Sequence, residues 1–182
     1  MKRSAEAAAA TRRRAVAAAA RLFRGRGFDG VGLERIMRAI GLTHGGFYRH
    51  FASKDALAAE AIDAASVATT SAHAALADHD GVQAVVERYL SAEHVAHPER
   101  GCPLAALAGA GGRQPAATRR AFARAIERAL TLVTGVVPRP RAIAALATMV
   151  GGVVLARAVI GTPLADEILA AARAAAAPPP SA

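Results

Sequence analysis

The sequence predicts an all-α protein built as two helical modules, and three observations carry that expectation. Alanine supplies 51 of the 182 residues, aromatic residues make up 4%, and tryptophan is absent. Alanine enters a helix without losing side-chain entropy, whereas a sheet draws on β-branched and aromatic residues. Apolar residues recur at helical spacing, and no run alternates apolar with polar as a half-buried strand does. The charge is lopsided: residues 1–60 hold 12 Lys/Arg against 5 Asp/Glu, while residues 61–182 hold 11 against 9. Within a formal net charge of +9, the first module is therefore the basic one, suited to a polyanion.

The elements follow in order. Residues 12–24 read as an amphipathic helix, with Val16, Ala19, Ala20 and Phe23 on one stripe. Gly25, Gly27 and Gly30 end it in a turn around Phe28 and Asp29. A short second helix places Leu33, Ile36, Met37 and Ile40 on one face, and Gly41 closes it by taking a left-handed conformation. Thr43 caps a third helix that buries Phe47 and Phe51, one turn apart. Ser53 caps the next, with Asp55 favoured by the dipole in its first turn, and this long helix runs to about Ala77. After a break at Asp78–Gly81, a helix carries Val82, Val85, Val86, Tyr89 and Leu90. His97–Pro103 reads as a loop, with Pro103 as the first residue of another helix. Phe122, Ala125, Ile126, Ala129 and Leu130 stripe a further one, residues 141–160 form a mostly apolar helix, and Thr162–Pro163 opens the last, to about Ala177. Pro178–Ala182 is expected to fray.

Three short helices with a glycine-pivoted turn at the basic end spell a helix-turn-helix. Burying Phe47 and Phe51 leaves Thr43, His44, Gly45, Tyr48 and Arg49 on the outer faces of the third helix. These are hydrogen-bonding groups plus a glycine that admits close backbone approach, as the N-terminal part of a recognition helix requires.

The run A-A-A-R-L-F-R-G-R-G-F-D-G from residue 18, then L-E-R-I-M-R-A-I-G-L-T-H-G-G-F-Y-R-H-F-A-S-K-D-A-L to Leu57, resembles the signature of TetR-type transcriptional regulators. The resemblance implies that Tyr48 and Lys54 bind phosphates, assisted by His50, and that Thr43, His44 and Gly45 face bases. It implies a helix-turn-helix domain over residues 1–52 and a helical ligand-binding and dimerisation domain over 53–182. It also implies a homodimer on double-stranded operator DNA, acting as a repressor released by a small-molecule inducer. One departure stands out: the second helix of such proteins opens with Thr or Ser, and this chain has Val31–Gly32, which leaves only a backbone amide for phosphate. Arg12, Arg13 and Arg14 read as a solvated basic face or a loose phosphate attractor, and more of the grip falls on Tyr48, Lys54 and these arginines.

In residues 141–160 the small residues Ala144, Ala145, Thr148, Gly151 and Gly152 would let another helix approach closely. So apolar a helix needs cover nearly all round, either within its own chain or from the same helix of a twofold mate joined by residues 163–177. The second reading places Leu146, Val150, Gly151 and Val153 in a dimer interface. A dimer also supplies two recognition helices about 34–36 Å apart for a palindromic site.

The chemically distinctive segment is His94-Val-Ala-His97-Pro-Glu-Arg-Gly-Cys102-Pro103. Its Gly-Cys-Pro run resembles a TetR subgroup in which some members sense electrophiles or oxidants through a cysteine. As the N-cap of a helix begun by Pro103, Cys102 would have its thiol acidity raised by the dipole and by Arg100. Three readings of Cys102 stand open: a small buried apolar residue, a reactive sensor, or a metal ligand with His94 and His97, whose spacing fits no standard zinc pattern. No metal and no cofactor is expected.

No nucleophile elbow, phosphate loop, zinc-protease motif or well-placed carboxylate pair appears, so no enzyme is expected. The single cysteine rules out an internal disulfide framework and points to a reducing cytoplasm, which the TetR resemblance implies is bacterial. The alanine-rich start is interrupted by three arginines, and the most apolar uncharged run, Ala142–Ala156, is too short for a membrane span. The rival to a sequence-specific regulator is a sequence-indifferent architectural DNA binder.

Overall fold

A computed structural model describes residues 2–134 and 137–177, and every regular element among them is helical. In chain order these are α1 (Lys2–Arg26), α2 (Leu33–Ile40), α3 (His44–Tyr48), α4 (Lys54–Tyr89), α5 (Ala92–Ala96) and α6 (Pro103–Leu107). A 3-10 turn (Ala108–Arg113), α7 (Ala116–Thr134), α8 (Arg139–Ala158) and α9 (Pro163–Ala176) complete them. The tail expected to fray, Pro178–Ala182, lies outside the described residues.

Helix α1 starts ten residues before the expected stripe, because the alanine run from Ala5 extends a helix at little entropic cost. It ends where Gly27 turns left-handed, at φ 72°. Gly41 does the same for α2, at φ 67°, and Leu42 N–H bonds back to the Met37 carbonyl at 3.0 Å. The caps of the next two helices are formed as expected: Thr43 Oγ1 accepts from Gly46 N–H at 3.2 Å, and Ser53 Oγ from Ala56 N–H at 3.0 Å. Phe23, Val31, Ile36, Phe47 and Leu57 are wholly buried, so α1 to α3 close over the first turns of α4.

The axis of α4 breaks at Gly81, whose φ of 84° and ψ of 168° no helix accommodates. Before the break, Asp63 and Ser66 face α7: Arg128 Nη1 donates to Asp63 at 2.9 Å and to Ser66 at 2.8 Å, and Arg124 also pairs with Asp63. Burial opposes the charge on Asp63, but the two guanidiniums outweigh it and hold the carboxyl below its ordinary range. Two elements were not foreseen. Helix α5 is capped by Ser91 Oγ, which accepts from His94 N–H, and the 3-10 turn precedes α7.

Helix α8 is long and apolar enough to cross a membrane by composition alone, but here it packs against α5, α6, α7 and α9. Its small residues divide by face. A Cβ on Gly152 would lie 2.8 Å from Ala172 Cβ of α9, so that close approach is made within the chain, whereas Gly151 faces open space. Val153 is wholly buried in its own protomer, which removes it from any face offered to a mate. Leu146, Val150 and Gly151 are half-buried, and the outward apolar residues are Ile143, Val154, Leu155, Ile160 and Leu164.

Candidate DNA interface and cysteine chamber

Helix α3 presents the face that its burial pattern dictates. Phe47 and Phe51, ring centroids 5.4 Å apart, anchor it, and Thr43, His44, Gly45, Tyr48 and Arg49 are exposed while His50 is half-buried. Tyr48 is 51% exposed, its ring held against His44 at 5.0 Å and edge-on to Phe47 at 5.3 Å. The scaffold thus fixes the ring and leaves the hydroxyl outward. A Cβ on Gly45 would meet nothing within 4 Å, so the protein's own packing does not require glycine there. Gly32, the extended N-cap of α2, is exposed and makes no side-chain cap, as its lack of a hydroxyl dictates.

Two cations have work inside the protein. Lys54 Nζ donates to the Phe28 carbonyl at 2.7 Å, tying the start of α4 to the turn between α1 and α2. Arg12 forks onto Glu60 of α4 and lies over the Phe51 ring at 4.8 Å. Arg12 is therefore a staple between helices, which corrects its reading as a free phosphate attractor; Arg13 and Arg14 remain exposed.

The second site gathers around Cys102, which is buried at the start of α6. An inner cavity of about 50 Å³ is lined by Ser66, Thr70, Tyr89, Leu104, Leu146 and Met149 among others, with neither a carboxylate nor an Arg or Lys in its wall. An outer cleft of about 530 Å³ lies between Arg24, Leu76, Arg88, Glu93 and Arg100. Thr69, His73 and Cys102 belong to both walls, so the cysteine stands at the partition. Helix α6 is only five residues long, too short for the macrodipole that the sequence reading invoked.

The Gly-Cys-Pro run has a local cause. A Cβ on Gly101 would fall 2.4 Å from His94 Cδ2, so only glycine lets the imidazole in. That ring accepts from Cys102 N–H through Nε2 at 3.0 Å and donates through Nδ1 to the Tyr89 carbonyl at 2.7 Å. Both nitrogens are committed and the ring is neutral; burial holds its pKa below the usual imidazole range. His94 is thus a brace for the cysteine's main chain, and among the described residues no three potential metal ligands gather. His73 is also neutral, brought down to about 4 by burial, with the neighbouring His94 and Arg88 adding to it.

Two arginines that sequence reasoning passed over hold this loop from either side. Arg24 of α1 donates to the Gly101 carbonyl at 2.7 Å. Arg157 of α8 donates to the carbonyls of His94, Val95 and Ala105 at 2.9 to 3.1 Å. A lone arginine in an otherwise apolar helix was the available signal for the second; the first is one basic residue among many in α1.

Residues 15–61 match the family described as "Bacterial regulatory proteins, tetR family". No curated protein matches the sequence. Among solved structures, the reduced form of Escherichia coli NemR is similar with a TM-score of 0.79 at 19% identity, over 94% of this chain and 99% of that one. A TetR transcriptional regulator from Chloroflexus aurantiacus is similar at 0.71 and 28% identity, over 93% and 95%. A TetR-family regulator from Streptomyces coelicolor gives 0.66 and 22%, over 97% and 95%. The match over residues 15–61 includes the outward face of α3, and the whole chain shares its fold with solved TetR-family transcriptional regulators.

Proposed function

We propose that this protein is a homodimeric, operator-binding repressor, released from DNA when a small molecule enters the inner cavity or when Cys102 is modified. The observation that carries the reading is α3, whose buried phenylalanines hold a row of exposed polar groups and one sterically unneeded glycine outward. Thr43, His44 and Gly45 then read base edges, and Arg49 and His50 flank them. Tyr48, Lys54 and the backbone amide of Gly32 take phosphates. Residues 1–52 form the DNA-binding unit and 53–182 the effector and dimer unit.

The outward apolar row of α8 and α9, with Leu155 at 58% exposure, supplies the dimer face. Leu146, Val150 and Gly151 border it, and a twofold mate would cover it with its own α8 and α9. The release route runs from the Cys102 loop through Arg24 straight into α1, and through Arg157 into α8.

Selection of bound duplexes from a random pool tests the reading. An inverted-repeat consensus supports it, and flat enrichment would instead mark an architectural DNA binder.

A further inference from the structure

We propose that Tyr89 is the hydrogen-bond donor that favours the thiolate of Cys102, so that the pair, and not the cysteine alone, makes up a modification site. The proposal rests on reading Cys102 as a site of modification. Tyr89 comes from the last turn of α4, is 3% exposed, and its hydroxyl has no hydrogen-bond partner. A buried phenol without a partner is worse for stability than phenylalanine in the same place, so its presence calls for a role. Tyr89 and Cys102 line the same inner cavity, and the cysteine is among the causes that raise the phenol's pKa. A thiol is a weak acceptor and repays a donor poorly, whereas a thiolate accepts a strong, charge-assisted hydrogen bond. The bond missing in the resting protein is thus one that forms when the cysteine ionises. The phenol keeps its proton throughout, because burial pushes its pKa up and the neighbouring cysteine adds to this.

Among the groups around the sulfur, Tyr89 carries the fully buried donor without a partner. His94 of α5 lies edge-on to the phenol ring at 4.6 Å with both nitrogens committed elsewhere. His73 of α4 lies on the ring at 5.8 Å and is neutral. Arg24 of α1 and Arg157 of α8 attract a negative sulfur, but the hydrogen bonds found for their forks go to main-chain carbonyls. Glu99 and Arg100 lie in the preceding loop and pair with each other at 3.4 Å. A small reagent has a way in, since Cys102 forms part of the outer cleft wall.

The test compares iodoacetamide alkylation of Cys102 in the folded wild type, Tyr89→Phe and Tyr89→Leu across pH, with thermal melts alongside. In the probe reaction the thiolate, its proton already lost to solvent, forms a C–S bond as the C–I bond breaks and iodide leaves. Tyr89→Phe should melt no lower than wild type, yet react about threefold more slowly for each tenfold loss of thiolate, since lower acidity is partly offset by higher nucleophilicity. Its rate profile should move to higher pH, and Tyr89→Leu should move the same way. Unchanged rates and profiles in both variants would overturn the donor role while leaving Cys102 modifiable. Failure of wild-type Cys102 to react at all would remove the modification reading, and the proposal with it.

Discussion

Replacing Tyr48 by Phe removes one hydroxyl and nothing else. The ring keeps its contacts with His44 and Phe47, and the lost group is exposed, so stability should change by no more than about 0.5 kcal/mol. In the proposed docking on DNA the same hydroxyl donates to a phosphate. A hydrogen bond to a charged acceptor is worth roughly 1.5–3 kcal/mol when well buried, and about 1–1.5 kcal/mol is reasonable at a half-wet interface. A dimer loses it twice, so operator affinity should fall roughly 30- to 150-fold. Fluorescence anisotropy at several salt concentrations gives the reading. Because the hydroxyl carries no charge, the slope of log K against log salt should hold, while Lys54→Met should lower it by roughly one for each protomer. Tyr48→Phe should weaken binding to operator and random duplex alike. Unchanged affinity, or a loss confined to one base position, would refute the phosphate assignment.

Gly45→Ala should leave the fold intact or stabilise it by about 0.5–1 kcal/mol, since alanine suits a helix better and meets nothing there. It should still weaken operator binding at least tenfold by electrophoretic shift; wild-type affinity would show that DNA does not approach that backbone. Stability should fall on acidification through His73, whose folded pKa of about 4 lies below the ordinary imidazole value of 6.5. Above 6.5 the ring is neutral in both states; between 6.5 and 4 the unfolded chain binds the extra proton, so stability drops across that window by on the order of 3 kcal/mol. Chemical denaturation across pH should show this slope in wild type and a shallower one in His73→Phe. Gly101→Ala should cost about 2 kcal/mol in the same assay, because the new methyl displaces the His94 ring and unbinds Cys102 N–H.

The helices, their caps at Thr43 and Ser53, and the exposed side of α3 were legible because each follows from local spacing and chemistry. Gly41 and Gly81 marked their breaks for the same reason: positive φ is a residue-level property. What escaped the sequence is set by distant neighbours. Helix α5 has five residues and holds its shape through Arg157, which is 62 and 63 positions from the carbonyls of Val95 and His94. Val153 looked like an interface residue because periodicity names an apolar face without saying which neighbour covers it. Tyr89 read as one more core residue of its stripe; its unmet hydroxyl emerges only once α4 and α6 are brought together.

The outward face of α3, doubled by a twofold axis, is the centre of this account. Hydroxyl-radical footprinting of the purified protein on its selected duplex addresses it most directly. Two equal protected patches related by a dyad, on one side of the helix and about 34–36 Å apart or a multiple of that, are predicted. Both should weaken together in Tyr48→Phe. A single patch, or continuous protection without a dyad, would contradict the paired-helix reading.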